Sequence, residues 1–481
     1  MIFALRSCST QIFAAFASLS LAACARVPQL GALPSARAAS SLESSKAFAA
    51  PSVSFPVDRW WEAFGDPQLS ALINEAMVGA PSLASASARL RASAAVAKQT
   101  ASSTLPIVSL DAGISGEKLT RNQSFPSQFV PEGVLDSGRI VATLNFDPDI
   151  WGKNRAALAA ATSENLAARV DVAQVRLMLA VSIMDAYAAL AQRFAEHDVA
   201  SSALRIRVAT AALTHQRVTQ GLDTLAELKS SESRVSSARA ELGALDEAIS
   251  LTRNQIAALV GAGPDRGLGI GSPKLANISP WGLPPNLALN LIGRRPDLVA
   301  ARLRTEAAAA RIKVARADFY PNINLSALVG IQSVGLGQLF EGDSTVARFG
   351  PAISLPLFDG SRRAGRYEQV RAQYDQDVSH YDATLIDALR QVADAVVAKR
   401  QIGARIANAQ AALNAAEDAR QITALRYRNG LANQLQLLAA EDATVSLRRV
   451  VIGLDAHNIE LTIALIAALG GGFEEQQGPA R

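Results

Sequence analysis

The chain has 481 residues, of which 49% are hydrophobic, 19% are charged and only 5% are aromatic, and its formal net charge is +4. The 47 basic and 43 acidic residues are interspersed, so there is no basic stripe of the kind that binds nucleic acid. The length is sufficient for two or three ordinary domains. Four histidines lie in predicted helices without the spacing of metal ligands or of a nucleophile and its base, which argues against an enzyme. They are His197, His215, His380 and His457.

The N-terminus predicts export from the cytoplasm. Residues 1–23 have a basic start, an apolar stretch and a small-residue end, which is the layout of a secretory signal. The end reads LAAC at residues 21–24; it resembles the bacterial lipobox, in which the cysteine becomes the lipidated N-terminus after cleavage. An ordinary signal peptide with an incidental Cys24 is the alternative. Ala25 stands where an aspartate would favour retention in the inner membrane, so the lipobox resemblance implies the outer membrane.

Four segments alternate apolar and polar residues with the period of a β-strand. They fall at 108–115, 139–147, 322–332 and 347–357. Each is close to the ~10 residues of a transmembrane strand. A soluble amphipathic hairpin is the alternative for any one of them, but four matching segments in a lipoprotein favour membrane strands. After the signal no run approaches the roughly 18 apolar residues of a membrane-spanning helix, so the chain can cross a membrane only as part of a closed barrel.

Very long helices are predicted after each pair of strands. Residues 155–219 contain neither proline nor glycine, and at ~1.5 Å per residue they would form a helix about 95 Å long. Residues 362–428 form a second long predicted helix, the counterpart of the first in a repeat that is described below. Apolar residues recur at spacings of three and four, which is a heptad seam and predicts coiled-coil packing. The seam positions are Leu166, Val170, Ala173, Leu177, Ala180, Met184, Tyr187, Ala191 and Phe194 in the first helix, and Val378, Tyr381, Leu385, Ala388, Val392 and Ala395 in the second.

Each long helix ends at a glycine turn and is followed by a returning helix, at about 225–260 in the first copy and about 434–469 in the second. Glycine suits the left-handed end of a helix, and a threonine or asparagine can cap the start of the next one. A plain loop is the alternative for either turn alone, but two matching Gly-Leu turns favour a shared function. The turn residues are Gly221, Leu222 and Thr224 in the first copy, and Gly430, Leu431 and Asn433 in the second.

The chain contains the same plan twice. Residues 185–261 align with residues 394–470 at a constant offset of 209 and without an insertion. The predicted organisation is a signal peptide (1–23), a lipid-anchored N-terminal linker (24–59), a first repeat (60–270), a linker (271–284), a second repeat (285–470) and a C-terminal tail (471–481). Each repeat has a helix, a β-hairpin at about 107–147 or 322–357, and a long helical hairpin at 155–260 or 362–469.

These features together resemble the TolC-like outer-membrane efflux channels, and within them the lipoprotein branch that includes OprM and NodT. The resemblance rests on the two-copy plan, the lipobox, the two Gly-Leu turns, a phrase from Trp61 to Leu69 that contains FGDP, and the phrase RRPDL at residues 294–298. It covers residues 60–472. We assign no chemistry to the second phrase, because a helix beginning at Pro296 explains it.

The resemblance implies an α+β membrane protein that forms a trimeric α/β-barrel, each chain giving four transmembrane β-strands and long coiled-coil helices in two structural repeats. The sequence gives its own reason to expect oligomers. One chain has only four predicted strands, and the smallest bacterial barrels have about eight, so other chains must supply the remaining strands. The implied function is passive conduction of drugs and toxic compounds from a periplasmic adaptor and an inner-membrane pump of the RND type. A channel for type I protein secretion is the alternative. The implied covalent group is the lipid on Cys24, without a cofactor or metal.

The resemblance also assigns roles to residues of the turns. It makes Gly221, Leu222, Thr224, Gly430, Leu431 and Asn433 the tips that dock on the adaptor. The best-known relatives carry gate aspartates six and nine residues after the second tip glycine, where this chain has Gln436 and Ala439. The first-copy counterpart of Gln436 is Glu227, so a ring of three Glu227 carboxylates is the candidate entrance gate and would favour cations. A solvated surface acid is the alternative. Weaker contributions are expected from Glu232, Glu441 and Asp442.

Overall fold

The structure is a computed structural model, and it describes residues 27–43, 46–120, 122, 130, 132–276, 281–285 and 287–475. The predicted signal peptide and Cys24 lie outside these described residues. The described chain divides into two compact units. The first unit comprises residues 27–36, 90–168 and 301–381, and the second comprises residues 37–89, 169–300 and 382–475. Both repeats contribute to each unit.

The first unit contains one antiparallel sheet with its strands in the order β1-β2-β3-β4. The strands are β1 (Ile107–Glu117), β2 (Leu135–Phe146), β3 (Asn322–Val334) and β4 (Thr345–Ser354). They occupy the four alternating segments, as predicted, and β2 of the first repeat pairs with β3 of the second. β4 ends three residues before the predicted boundary at 357. Pro356, which has no N–H to donate to a strand ladder, follows two residues after the end of the strand.

The register of the sheet brings the apolar residues of all four strands onto one face. Ala112 pairs with Ile140, and Ile140 pairs in turn with Ile331. Further along, Ala327 pairs with Phe349. Many large apolar side chains of this face, among them Phe349, are exposed in the single chain, whereas Ile140 and Ile331 are half-buried. β1 and β4 are the outer strands, and each has one edge that pairs with no other strand within the described residues.

Nine α-helices accompany the strands in the described part of the chain. They are α1 (Pro67–Gly79), α2 (Pro81–Ser102), α3 (Lys153–Thr219), α4 (Leu225–Leu259), α5 (Asp265–Leu268), α6 (Leu287–Arg294), α7 (Pro296–Ala317), α8 (Arg362–Arg428) and α9 (Gln434–Ala468). The long helices α3 and α8 both have 67 residues, and the returning helices α4 and α9 both have 35. The equal lengths show that the repeat in the sequence is a repeat of structure.

The heptad seams bury most of the positions predicted for them. In α8 all six predicted positions are buried, from Val378 to Ala395. In α3 the prediction fails at its first position, because Leu166 is 37% exposed and the neighbouring Ala167 is fully buried. A straight α-helix drifts by about 20° per heptad from a strict 3.5-residue repeat. The buried stripe therefore moves to a neighbouring row of residues at this end of α3.

The second unit has the larger hydrophobic core, and the phrase from Trp61 to Leu69 lies in it. Asp66 caps α1 by accepting a hydrogen bond from the backbone N–H of Gln68. Its other carboxylate oxygen accepts from the Tyr187 hydroxyl of α3 at 2.7 Å. Arg295 is buried at the start of α7 and donates to the carbonyl oxygen of Ala468 at 3.1 Å. Both recognisable phrases therefore hold helices together, and neither forms a reactive site.

One described helix, α9, is long and apolar enough to cross a membrane by length and composition alone. Its most apolar stretch has a mean hydropathy of 1.6, and one third of that stretch is buried within the chain. The sequence analysis did not anticipate such a helix. The core helices of globular proteins meet the same criterion, and Ile463 of α9 belongs to the buried core of the second unit.

Candidate functional site: the hairpin tips

The two helical hairpins of the second unit end in turns of the same construction. We call residues 217–227 the first tip and residues 426–436 the second tip. In the first, the Leu222 N–H donates to the Arg217 carbonyl oxygen at 2.8 Å and Gly221 has a φ of +72°. In the second, the Leu431 N–H donates to the Arg426 carbonyl oxygen at 2.8 Å and Gly430 has a φ of +75°. Such hydrogen bonds close a helix end around a left-handed glycine.

Each returning helix begins with a reciprocal capping box. In the first tip the Thr224 N–H donates to Glu227 Oε2 at 2.6 Å, and Thr224 Oγ1 accepts from the Glu227 N–H. In the second tip Asn433 and Gln436 exchange the equivalent pair of bonds, at 3.2 and 3.0 Å. Both residues predicted to cap do so. Glu227 and Gln436, the two residues considered for the entrance gate, therefore also stabilise the starts of α4 and α9.

Leucines at matching positions are exposed on both tips. Leu222 is 61% exposed and Leu431, at the same position of the second tip, is 68% exposed. Leu225 and Leu435 are exposed on the first turns of the returning helices. Exposed apolar groups that recur in both copies form a surface suited to contact with another protein.

A polar network links the two tips of one chain. The fully buried Tyr427 of α8 donates its hydroxyl hydrogen to Asp223 Oδ2 at 2.7 Å. Arg217 of α3 donates to the same carboxylate through Nε at 2.8 Å and through Nη2 at 3.2 Å. The Arg217 guanidinium also lies 4.7 Å from the centre of the Tyr427 ring. Burial raises the pKa of Asp223, but the hydrogen bonds from Arg217 and Tyr427 outweigh it and leave that pKa below its usual value.

A second layer of the network surrounds the buried Gln434 at the start of α9. Its Nε2 donates to Thr214 Oγ1 at 3.2 Å and to the Glu227 carbonyl oxygen at 3.1 Å, and it also contacts Ser231 Oγ. Thr214 is in turn 3.3 Å from the Tyr427 hydroxyl. The start of α9 is thus hydrogen-bonded to both helices of the first hairpin.

The network breaks the symmetry of the repeats, which is why the sequence analysis missed it. At the offset of 209, the counterpart of Asp223 is Ala432 and the counterpart of Gln434 is Leu225. Polar groups therefore stand in one copy where the other has apolar ones. A polar residue that differs between two otherwise matching turns is the signal that would have identified these links.

The acids near the entrance differ in their surroundings. Glu232 pairs with Lys229 at 2.8 Å, and Asp442 pairs with Arg207 at 3.1 Å and also with Arg234. Glu441 is buried, and burial raises its pKa against the opposing effect of a hydrogen bond from Thr210. Because Glu441 is buried, its carboxylate does not face water in this chain, and it is not expected to contribute to an aqueous entrance. Glu227 is half-buried, with its carboxylate held in the capping box.

The described residues contain no cluster of three or more His, Cys, Asp or Glu side chains that could hold a metal ion. The chemistry that the tips offer is that of recognition: exposed leucines, capped helix starts and a buried network that links two hairpins.

Two long helical hairpins and a four-stranded sheet with one apolar face are the features expected of an outer-membrane channel protein, and the comparison of sequences agrees. The sequence model of the family described as outer membrane efflux protein matches residues 72–262 and 287–471. These ranges include both repeats and most of the chain. The chain belongs to the outer membrane efflux protein family. It is an outer-membrane efflux channel whose long helices form a periplasmic tunnel.

Three similar proteins illustrate the match. The fusaric acid resistance protein FusA of Burkholderia cepacia is 34% identical over 323 residues, which span 64% of this chain and 58% of FusA. The multidrug resistance outer membrane protein MdtP of Escherichia coli K12 is 28% identical over 442 residues, 88% of each protein. The crystal structure of the outer membrane protein VceC from Vibrio cholerae superimposes with a TM-score of 0.83 at 38% identity, covering 87% of this chain and 100% of VceC.

Proposed function

We propose that this chain is the outer-membrane channel of a tripartite efflux system and passively conducts small toxic molecules, drugs among them, to the exterior. The family match across both repeats carries the proposal. FusA is named for resistance to fusaric acid and MdtP for multidrug resistance. These names support small toxic molecules as the substrate class and give no support to protein secretion. As a passive channel the chain carries out no catalytic reaction and needs no cofactor. An RND-type inner-membrane pump supplies the energy for transport.

The proposed assembly is a homotrimer. The outer strands β1 and β4 each leave one edge without a partner strand among the described residues. Lipid cannot satisfy an open edge, so a spanning sheet must close. Three chains would give twelve strands, which is within the range of bacterial barrels. Two thirds of the residues in the apolar stretch of α9 are not buried within their own chain, and neighbouring chains would bury part of them.

The proposed adaptor contact is made by the tips, through Gly221, Leu222, Thr224, Gly430, Leu431 and Asn433. The supporting observation is that Leu222 and Leu431 are exposed at the same position of two turns with the same hydrogen bonds. A helical hairpin of an adaptor could place apolar residues on both. The capping residues Thr224 and Asn433 keep the turns rigid, which lowers the entropy lost on docking.

The proposed gate is a ring of three Glu227 carboxylates, with Gln436 at the matching position of the second tip. Glu227 is half-buried and shows no hydrogen bond or ion pair with a lysine or arginine in the described chain, although the Arg217 guanidinium is near enough to interact with its charge. Glu232 and Asp442, by contrast, each form an ion pair with a cationic side chain. Three like charges at a narrow entrance repel one another and attract cations.

The proposed anchor is a diacylglyceryl group on Cys24. The first described residue, Val27, packs against a small buried cluster that contains Phe319 of the α7–β3 connection and Tyr367 of α8, the helix that follows β4. Arg371 of the same helix donates to three successive backbone carbonyls, the nearest being that of Gly31 at 3.2 Å. Residue 24 lies three residues before Val27, within about 10 Å of it in an extended chain. This geometry would hold a lipid at the membrane boundary.

Drug susceptibility tests the function. Deletion of the gene in its own bacterium is expected to increase sensitivity to several toxic compounds, and expression of the full chain should restore resistance. The detergent-solubilised protein should have the mass of three chains. Unchanged sensitivity together with the loss of a secreted protein would instead favour the secretion channel.

A further inference from the structure

A cavity of about 520 Å³ lies in the first unit where the strands join the helices. Three connections surround it: β2 to α3, α7 to β3, and β4 to α8. We call it the junction cavity. The lining residues that matter here are Trp151, Lys153, Tyr320, Ile323, Arg362 and Arg366. Because the strands span the outer membrane and the helices are periplasmic, this junction lies at the periplasmic surface of the membrane.

Two arginines in the junction cavity form no ion pair. Arg362 and Arg366 are one helical turn apart at the start of α8, and both are exposed. The guanidinium of neither forms a hydrogen bond or an ion pair with another described residue, and the carboxylate of Asp359, whose charge interacts with Arg362, is already bound by Arg363. A guanidinium is a planar set of donors that matches a phosphate group, so two of them side by side form a site for a phosphate.

The other charged residues of the cavity are already engaged. Lys153 pairs with Asp318 at 2.6 Å, and the buried Arg363 pairs with Asp359 at 2.7 Å. Asp149 of the lining is bound to Arg155 at 3.1 Å. 

The last acid of the lining, Asp147, accepts hydrogen bonds from the Asp149 N–H and from the Asn154 amide. The two free guanidinium groups therefore outnumber the one carboxylate without a cationic partner, and an anionic ligand is favoured over a cationic one.

An aromatic pair lies beside the arginines. The Trp151 ring is stacked on Tyr320 with 4.8 Å between ring centres, and its Nε1–H donates to the Pro321 carbonyl oxygen at 2.7 Å. Tryptophan and tyrosine with a satisfied polar end are enriched where a membrane meets water. Ile323, on the apolar face of β3, also lines the cavity. The junction cavity thus adjoins both the lipid-facing strand surface and two free cations.

We propose that the junction cavity binds the phosphate-bearing headgroup of an anionic phospholipid from the periplasmic leaflet of the outer membrane. Arg362 and Arg366 donate to the phosphate oxygens. The Trp151 and Tyr320 rings contact the glycerol region, and the acyl chains extend along the apolar strand face that begins at Ile323. The site is independent of which compounds the channel conducts.

Native mass spectrometry of the full-length channel in detergent tests the proposal. The wild-type channel is titrated with phosphatidylglycerol and with phosphatidylcholine, whose choline group carries a compensating positive charge. We expect tighter binding of phosphatidylglycerol. The double variant Arg362→Gln/Arg366→Gln should lower phosphatidylglycerol affinity by at least roughly tenfold, the loss expected for a charge-assisted hydrogen bond. It should lower the weaker binding of phosphatidylcholine less, because the choline group already offsets part of the attraction of that phosphate to the arginines.

A control variant removes the same charge elsewhere. Arg239 of α4 and Arg405 of α8 are exposed, lie outside the tips and form no side-chain bond with a described residue, so Arg239→Gln/Arg405→Gln should bind phosphatidylglycerol like the wild type. Equal loss in both double variants would reduce the effect to net charge and overturn the proposal. Binding of inorganic phosphate without binding of phosphatidylglycerol would identify a soluble anion as the ligand and also overturn it. Even if the first variant fails to assemble, equal affinity of the wild type for both lipids would contradict the proposal.

Discussion

Tyr427 of the second hairpin donates its hydroxyl hydrogen to Asp223 in the turn of the first hairpin, with 2.7 Å between the two oxygens. The two residues are 204 positions apart in the sequence and belong to different repeats. Arg217 binds the same carboxylate and lies over the same ring. The two tips that we propose to dock on one adaptor are therefore linked to each other within each chain.

Tyr427→Phe should loosen the tips without disturbing the packing of the ring. A hydrogen bond of this kind contributes about 1 kcal/mol to stability, which corresponds to roughly fivefold faster amide exchange if the tips open as one unit. Hydrogen exchange measured by mass spectrometry should show this at residues 220–226 and 429–433. The control is Tyr374→Phe, which removes a bond from another α8 hydroxyl to Pro34 and should leave the tips unchanged. Equal exchange in all three proteins would show that the hydroxyl does not hold the tips.

Glu227→Gln should lower the preference of the channel for cations. The substitution removes the charge but preserves the capping box, since Gln436 already makes the same contacts in the second tip. Single-channel recordings in planar bilayers would measure selectivity and block by polyvalent cations. Gln436→Glu is the matched opposite change and should increase the cation preference. If neither variant alters selectivity, Glu227 does not line the gate.

Gly221→Glu and Gly430→Glu should each abolish efflux while the protein still assembles and reaches the membrane. A Cβ at either position would meet no heavy atom within 4 Å, but φ values of +72° and +75° disfavour any side chain. The strain is about 1–2 kcal/mol, and the new charge would lie on the proposed docking surface. Gly243→Glu and Gly403→Glu serve as controls, because these exposed helical glycines also have open space around them. Resistance that survives in both tip variants would exclude docking at the turns.

Cys24 should be the lipidated N-terminus of the mature protein. Mass spectrometry of the N-terminal peptide is expected to show a diacylglyceryl adduct, and Cys24→Ser should abolish it because serine offers no thiol for the thioether bond. An unmodified peptide that begins upstream of Cys24 or at Ala25 would contradict the prediction.

Lys399 should make the stability of the α8–α9 pair depend on alkaline pH. The ammonium group is buried and donates to the carbonyl oxygen of Asn458 at 3.1 Å and to Thr462 Oγ1 at 2.6 Å. Burial lowers the pKa of Lys399 to about 8 from an ordinary 10.5. The unfolded chain therefore binds more protons between these two values, so stability rises with pH across that window.

Thermal unfolding of the assembled channel, followed from neutral pH upward, would measure this rise. Lys399→Met should flatten it, whereas Lys313→Met, at an exposed lysine of α7, should not. A rise of the same size in Lys399→Met would assign the pH dependence to other groups.

The elements and the repeat could be predicted from the sequence because they depend on local patterns. Alternation with a period of two marks a strand with one apolar face, and a seam of spacing three and four marks a packed helix. A glycine followed by a capping residue marks the turn between two helices. The two Gly-Leu turns and the alternating segments therefore identified both hairpins and the sheet, including the face on which Ile140 and Ile331 meet.

The surroundings of individual polar residues required the tertiary structure. Glu441 and Glu232 occupy the same position of the two repeats, yet Glu441 is buried against Thr210 and Glu232 is paired with Lys229 near the surface. Asp223 and Tyr427 are joined across the repeats. The hydrophobic periodicity of a segment indicates which of its faces packs on a neighbour. It can be read from the sequence because the pattern extends over only a few residues. Which neighbour is met there depends on contacts between segments some two hundred residues apart, and no local pattern carries that information.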